Sequence, residues 1–131
     1  MFLDMLKNNR EKESFMELAY WVATADGGLG LPEMKMMDMF SNETGIGNWR
    51  KNGALPMRPQ SSCVFADELS RKIAFSNLLA IGYSEEYENS SQTKVIETIR
   101  DQLSISPEVA QSYRDWMKMV KGSYLPHYYM D

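Results

Sequence analysis

The residues of this chain best suited to chemistry are two carboxylates that flank a glycine-rich corner. Asp26 and Glu33 lie in Ala23-Thr24-Ala25-Asp26-Gly27-Gly28-Leu29-Gly30-Leu31-Pro32-Glu33. Asp26 and Glu33 stand on opposite sides of one turn. With backbone carbonyls and water completing the shell, they form a candidate site for a hard cation, calcium or magnesium. A structural role competes with this one. Asp26 would accept an Asx-type hydrogen bond within the turn, and Glu33 would favour the positive end of the helix that Pro32 opens. Asp-Gly-x5-Glu also matches the second half of an EF-hand loop. Counting back, however, places Val22 and Thr24 where that loop needs carboxylates, so an EF-hand is not expected. Glu85, in the acidic stretch Gly82-Tyr83-Ser84-Glu85-Glu86, is a candidate second site. The alternative to a binding role is a small cation-dependent hydrolase. It needs Asp26, Glu33 and Glu85 to converge on one cleft, with at least one carboxyl pKa raised.

Other reactive side chains are sparse. The chain has eleven methionines, four of them clustered at Met34, Met36, Met37 and Met39. Thioethers suit soft ions, but this spacing places them on the faces of one helix, where methionine fills core space or makes adaptable surfaces. Core packing is the expectation, with Met36 and Met39 as candidates for a partner surface alongside Trp49, Tyr124 and Tyr128. His127 is the single histidine and Cys63 the single cysteine. One chain therefore cannot assemble a histidine-based zinc cluster, a cysteine-based zinc site or an internal disulfide. A Cys63–His127 nucleophile pair is a minor alternative. No P-loop, GxSxG elbow or dinucleotide fingerprint is present.

The elements that must position these residues read as helices. With 131 residues, 44% hydrophobic and 24% charged, the chain fits one domain, 1–131. A net charge of −4, with Lys and Arg scattered in pairs, argues against a nucleic-acid surface. No apolar run approaches the ~20 residues of a membrane span, and no signal-like leader is read, so no direct membrane insertion and a cytoplasmic location are expected. Phe15, Leu18, Ala19, Val22 and Ala23 form a helical stripe over 11–25, after a short amphipathic piece at Phe2, Leu3, Met5 and Leu6. Pro32 opens a second helix through Met34, Met36, Met37 and Phe40, which Gly45 stops. A third spans about 62–81, with Leu69, Ile73, Leu78 and Leu79 towards the core. Ser91 is expected to cap a fourth, through Val95, Ile96, Ile99 and Leu103. Ser106-Pro107-Glu108 opens a fifth, burying Val109, Tyr113, Trp116, Met117 and Val120 and ending at Gly122. The expectation is an all-α single-domain bundle of about five to seven helices. Residues 44–60 read as an irregular loop pinned by Trp49, and 123–131 as an aromatic tail. Trp49 and the tail are candidates for sealing a homodimer.

There is a weak two-fold internal repeat of helix, acidic turn, helix. Sliding the first half on the second pairs Glu33 with Gln92 and Asp26 with Glu85, and the halves end alike, at Gly45-Ile46 and Ser104-Ile105. The segment Leu18-Ala19-Tyr20-Trp21-Val22-Ala23-Thr24-Ala25-Asp26-Gly27, followed by Pro32-Glu33, resembles the TerB-like family (tellurite-resistance, DjlA amino-terminal domain). That family's pattern is a helix ending in Ala-Asp-Gly, five residues, then a Glu opening the next helix. Residues 71–105 look like its more degenerate second copy. The resemblance implies a helical bundle without established catalytic activity, tied to tellurite and metal-stress responses. It also implies a protein partner that is membrane-associated in some members. Asp26 and Glu33 match the family's acidic positions. The Glu85/Gln92 pairing, the 44–60 insertion and the aromatic tail depart from its pattern.

Overall fold

Capping side chains mark where three of the helices begin. The computed structural model describes residues 2–47, 64–65, 67–82 and 90–120, with Val120 described by its backbone alone. After a 3-10 turn at Leu3–Met5 come α1 (Asn9–Ala23), α2 (Leu31–Thr44), α3 (Glu68–Gly82), α4 (Ser90–Gln102) and α5 (Pro107–Val120), with no strand among the described residues. The Asn8 side chain accepts the Glu11 N–H at 2.9 Å, and the Glu11 carboxylate reaches back to the Lys7 N–H at 2.9 Å. Both satisfy donors that a helix start leaves open. Asp67 accepts the Ser70 N–H at 2.8 Å, and Ser106 Oγ accepts the Val109 N–H at 3.2 Å. The cap expected at Ser106 is therefore formed. Ser91, by contrast, lies inside α4, which already begins at Ser90.

Glu33 and Gln92 stand 59 residues apart, and the same shift relates the two helix pairs throughout. It maps Asn9–Ala23 onto Glu68–Gly82, the bounds of α1 onto those of α3. It maps the capping residue Asn8 onto the capping residue Asp67. Every buried residue of α1 falls on a buried residue of α3, Phe15 on Ala74 and Val22 on Ile81 among them. In the second helices Met37 falls on Ile96 and Phe40 on Ile99, all fully buried. The ends correspond as well. Gly45 (φ 79°) and Ser104 (φ 58°) both adopt the left-handed conformation that stops a helix, and each is followed by an isoleucine. At Ser104 the stop is a complete Schellman motif. Ile105 N–H donates to Arg100 O at 3.2 Å, and Ser104 N–H donates to Asp101 O at 3.1 Å.

The core sits between the pairs. α1 packs on α2, α3 and α4; α3 packs on α1, α4, α5 and the N-terminal 3-10 turn, which also touches α2. Phe15 of α1 meets Phe40 of α2 edge-to-face, with centroids 5.1 Å apart at 83°. Such a pair is worth roughly 0.5–1.5 kcal/mol beyond the area it buries. The α1 stripe is buried as expected, and Met36 and Met37 are fully buried with it. Met36 therefore belongs to the core and not to a partner surface. Leu3 and Leu6 are buried while Phe2 and Met5 face out, as an amphipathic piece requires. Two expected core residues are instead exposed: Leu69 at 57% and Trp116 at 46%. Leu69 corresponds through the repeat to Arg10, also exposed, so it lies on the outward face of α3. Trp116 is displaced one residue from the inward-facing Met117 and falls at the edge of the α5 stripe. Residues 48–60, the tail and Gly122 lie outside the described residues.

Ionic links tie the elements together. Glu97 of α4 accepts from Arg100 Nε at 2.7 Å and from the Arg114 guanidinium of α5 at 2.6 Å. Burial pushes the Glu97 carboxyl up, but the hydrogen bonds from Arg100 and Arg114 outweigh it and hold the pKa below the usual value. Lys7, just before α1, meets Asp67, the cap of α3, at 2.5 Å. Its hydrogen bond, with that of the Ser70 N–H, lowers the Asp67 carboxyl from 3.8 to about 2. A carboxyl depressed on folding contributes stability that is present above its unfolded value and is lost as pH falls through the folded one. The Asp67 window therefore runs from about 3.8 down to about 2. Following the Asp67 side-chain carbon by NMR against pH should give a midpoint near the lower of these values. A midpoint at the upper value would mean that neither the Lys7 pair nor the cap is formed.

Candidate functional site

The acidic corner is built from the end of α1 outwards. Thr24 closes the helix twice, through its N–H to Tyr20 O at 3.0 Å and its hydroxyl to the same oxygen at 2.7 Å. Ala25 N–H then donates to Val22 O at 3.2 Å and Gly27 N–H to Thr24 O at 3.0 Å. Gly27 has φ +104°, and nothing lies within 4 Å of where a Cβ would stand. The demand for glycine there is torsional and not a matter of crowding. The chain straightens at Gly30 (φ −79°, ψ 170°), whose carbonyl accepts the Met34 N–H at 3.0 Å. Pro32 is the second residue of α2, where its missing N–H costs nothing.

The two carboxylates part company at this corner. Asp26 is exposed in the turn. The Asx-type bond expected of it is not formed among the described residues, and the turn is held by the backbone and Thr24 bonds above. Glu33 is 1% exposed, the third residue of α2. Its Oε2 accepts from Gln92 Nε2 at 3.4 Å, a long hydrogen bond. Gln92, 2% exposed, is the third residue of α4. The Glu33 carboxylate thus lies at the first turns of two helices, where open N–H groups and the aligned peptide dipoles favour negative charge. Sequence reading paired Glu33 with Gln92 but gave Gln92 no role at the site. The signal was its equivalence to Glu33 in the repeat.

The remaining candidates divide by position. Met39 is half-buried and packs against the core. Glu85, Trp49, Tyr124, Tyr128, Cys63 and His127 lie outside the described residues. Among the described residues, no group of three His, Cys, Asp or Glu side chains is placed to hold a metal ion. Two clefts lined by described residues lie on the α3–α5 side of the molecule. One, of about 200 Å³, runs from Glu68, Arg71 and Lys72 to the turn at Ser104–Ser106. The other is lined by Phe2, Ser76, Tyr113 and Trp116. Neither Asp26 nor Glu33 lines either one. No family model matches the chain, and neither a curated protein nor a solved structure does.

Two substitutions test this geometry. Gly27→Val should destabilise the fold by about 1–3 kcal/mol, the cost of holding a branched residue at positive φ. A neutral urea-unfolding result would show that the corner takes another path. Gln92→Glu would set two carboxylates in one buried place, so one of them titrates well above the usual range. A folded pKa raised above the unfolded value gives stability that is lost as pH rises through it. Urea unfolding of this variant should therefore show stability falling between about pH 5 and pH 8 relative to the parent chain. Parallel profiles would separate the two side chains.

Proposed function

We propose that this chain is a non-catalytic helical interaction module of the TerB-like kind, with the acidic corner as its point of engagement. The observation that supports it is the division of labour between the two carboxylates. Glu33 is committed to the interior, joining the first turns of α2 and α4. Asp26 is turned to solvent on a corner held at both ends by helix termini, so its oxygens are free to meet a basic side chain or a divalent cation. In this reading calcium or magnesium is an adjunct to recognition, held by Asp26, backbone carbonyls and water, and the partner is a protein. The TerB-like resemblance of residues 18–33 adds the biological setting, a metal- or tellurite-stress response in the cytoplasm with a partner at the membrane. Among the described residues no helix is long and apolar enough to cross a membrane, which fits a module that meets such a partner from outside the bilayer.

Calorimetric titration of calcium and of magnesium into the parent chain and into Asp26→Asn tests the reading. Heat from one site is expected in the parent. Asp26→Asn should weaken that binding at least about tenfold, or about 1.4 kcal/mol. Undiminished heat in the variant would move the cation away from the corner. No heat in the parent would remove the cation from the proposal altogether.

A further inference from the structure

The apolar groove on the α3–α5 side is independent of the acidic corner. α5 seats Ala110 and Met117 inside, and Tyr113 meets the ring of Phe75 at 6.2 Å. Its outer edge keeps Trp116 half in water and Met119 81% exposed. Beside it stands Phe2, 68% exposed, with its backbone in the left-handed region at φ 65°. A bulky residue seldom adopts that conformation. Together with Ser76 and Tyr113, Phe2 and Trp116 line an open groove of about 410 Å³, a size typical of binding sites.

We propose that the residues following α5, 121–131 of this same chain, cover this groove, with Tyr124, Leu125 or Tyr128 entering between Phe2 and Trp116. Reach allows it. At ~1.5 Å per residue, Trp116 lies only about 6 Å before the end of α5 and Tyr113 about 10 Å. Residues 121–124, at ~3.3 Å each when extended, are enough to return that far. Direction allows it too: Gly122 follows α5 by two residues and is the residue type that reverses a chain leaving a helix. Pro126 disfavours helical backbone at Leu125, so an extended segment is laid along the groove. The chemistry matches as well. Tyr124, Leu125, Tyr128, Tyr129 and Met130 outweigh Lys121 and Asp131, and an apolar, aromatic segment is what an apolar groove with two exposed rings takes up.

Cysteine pairing identifies the occupant. In a Cys63→Ser background, Ser76→Cys is combined in turn with Tyr124→Cys, Leu125→Cys and Tyr128→Cys, and oxidised at low protein concentration. At least one pair should close within a single chain about tenfold or more faster than Leu125→Cys paired with Asp38→Cys on α2, the control for random encounters. A covalent dimer would put a second copy's segment in the groove and overturn the proposal. Closure no faster than the control for every pair would overturn it as well and leave the groove to another protein. Hydrogen exchange on the unsubstituted chain gives an independent reading. Amides within 121–131 should exchange at least about tenfold more slowly than an unstructured peptide, and Trp116→Ser, at a half-exposed position, should abolish that protection. Unprotected amides in the parent chain would contradict the proposal.

Discussion

The contact between α1 and α3 constrains everything else, because α3 has almost no side to give to solvent. Ten of its fifteen residues are buried, and from Asn77 to Gly82 every position is, so coverage of its second half must come from several directions at once. α1, α4, α5 and the N-terminal 3-10 turn supply that coverage. α2 packs mainly on α1, where the Phe15 and Phe40 rings meet, and also on the 3-10 turn. The repeat is the geometric solution. Two helix pairs with one shared register place their first helices against each other at the centre, so each pair roofs the other's apolar face.

Repetition brings equivalent positions together, and this has an electrical cost wherever the shared residue type is charged. Glu33 and its counterpart meet in the interior, where two carboxylates would repel each other strongly at low dielectric. The second copy has glutamine there. Its amide keeps the size and shape of the glutamate side chain and supplies the donor that the carboxylate needs. The departure of Gln92 from its counterpart Glu33, which in sequence looks like degeneration of the repeat, is in the structure what lets a symmetric pair be buried.

Much of this was legible in the residues. The α1 stripe, the cap at Ser106, the stop at Gly45 and the register pairing Glu33 with Gln92 all follow from local rules of spacing and capping. Features that depend on which neighbour covers which face were not legible. Leu69 and Trp116 are apolar residues at helical spacing, but each lies just off the arc that a partner helix reaches. Met36 has the composition of an adaptable surface and the position of a core residue. Asp26 is the residue type that caps turns, yet this turn is closed by backbone N–H groups and by the Thr24 hydroxyl two positions earlier. At the candidate site, sequence named both carboxylates and could not say that one would face inward.

The short turn at Leu3–Met5 bears on how the molecule is assembled. Leu3 is fully buried and Leu6 nearly so, and the turn rests on α2 and α3. Yet α3 begins only at Glu68. The segment ahead of α1 can rest on α2, close by in sequence, but its seat is complete only once α3 has docked beside it, and closing so long a loop carries an entropic penalty before any contact rewards it. Its leucines close the interior between a helix of the first pair and a helix of the second.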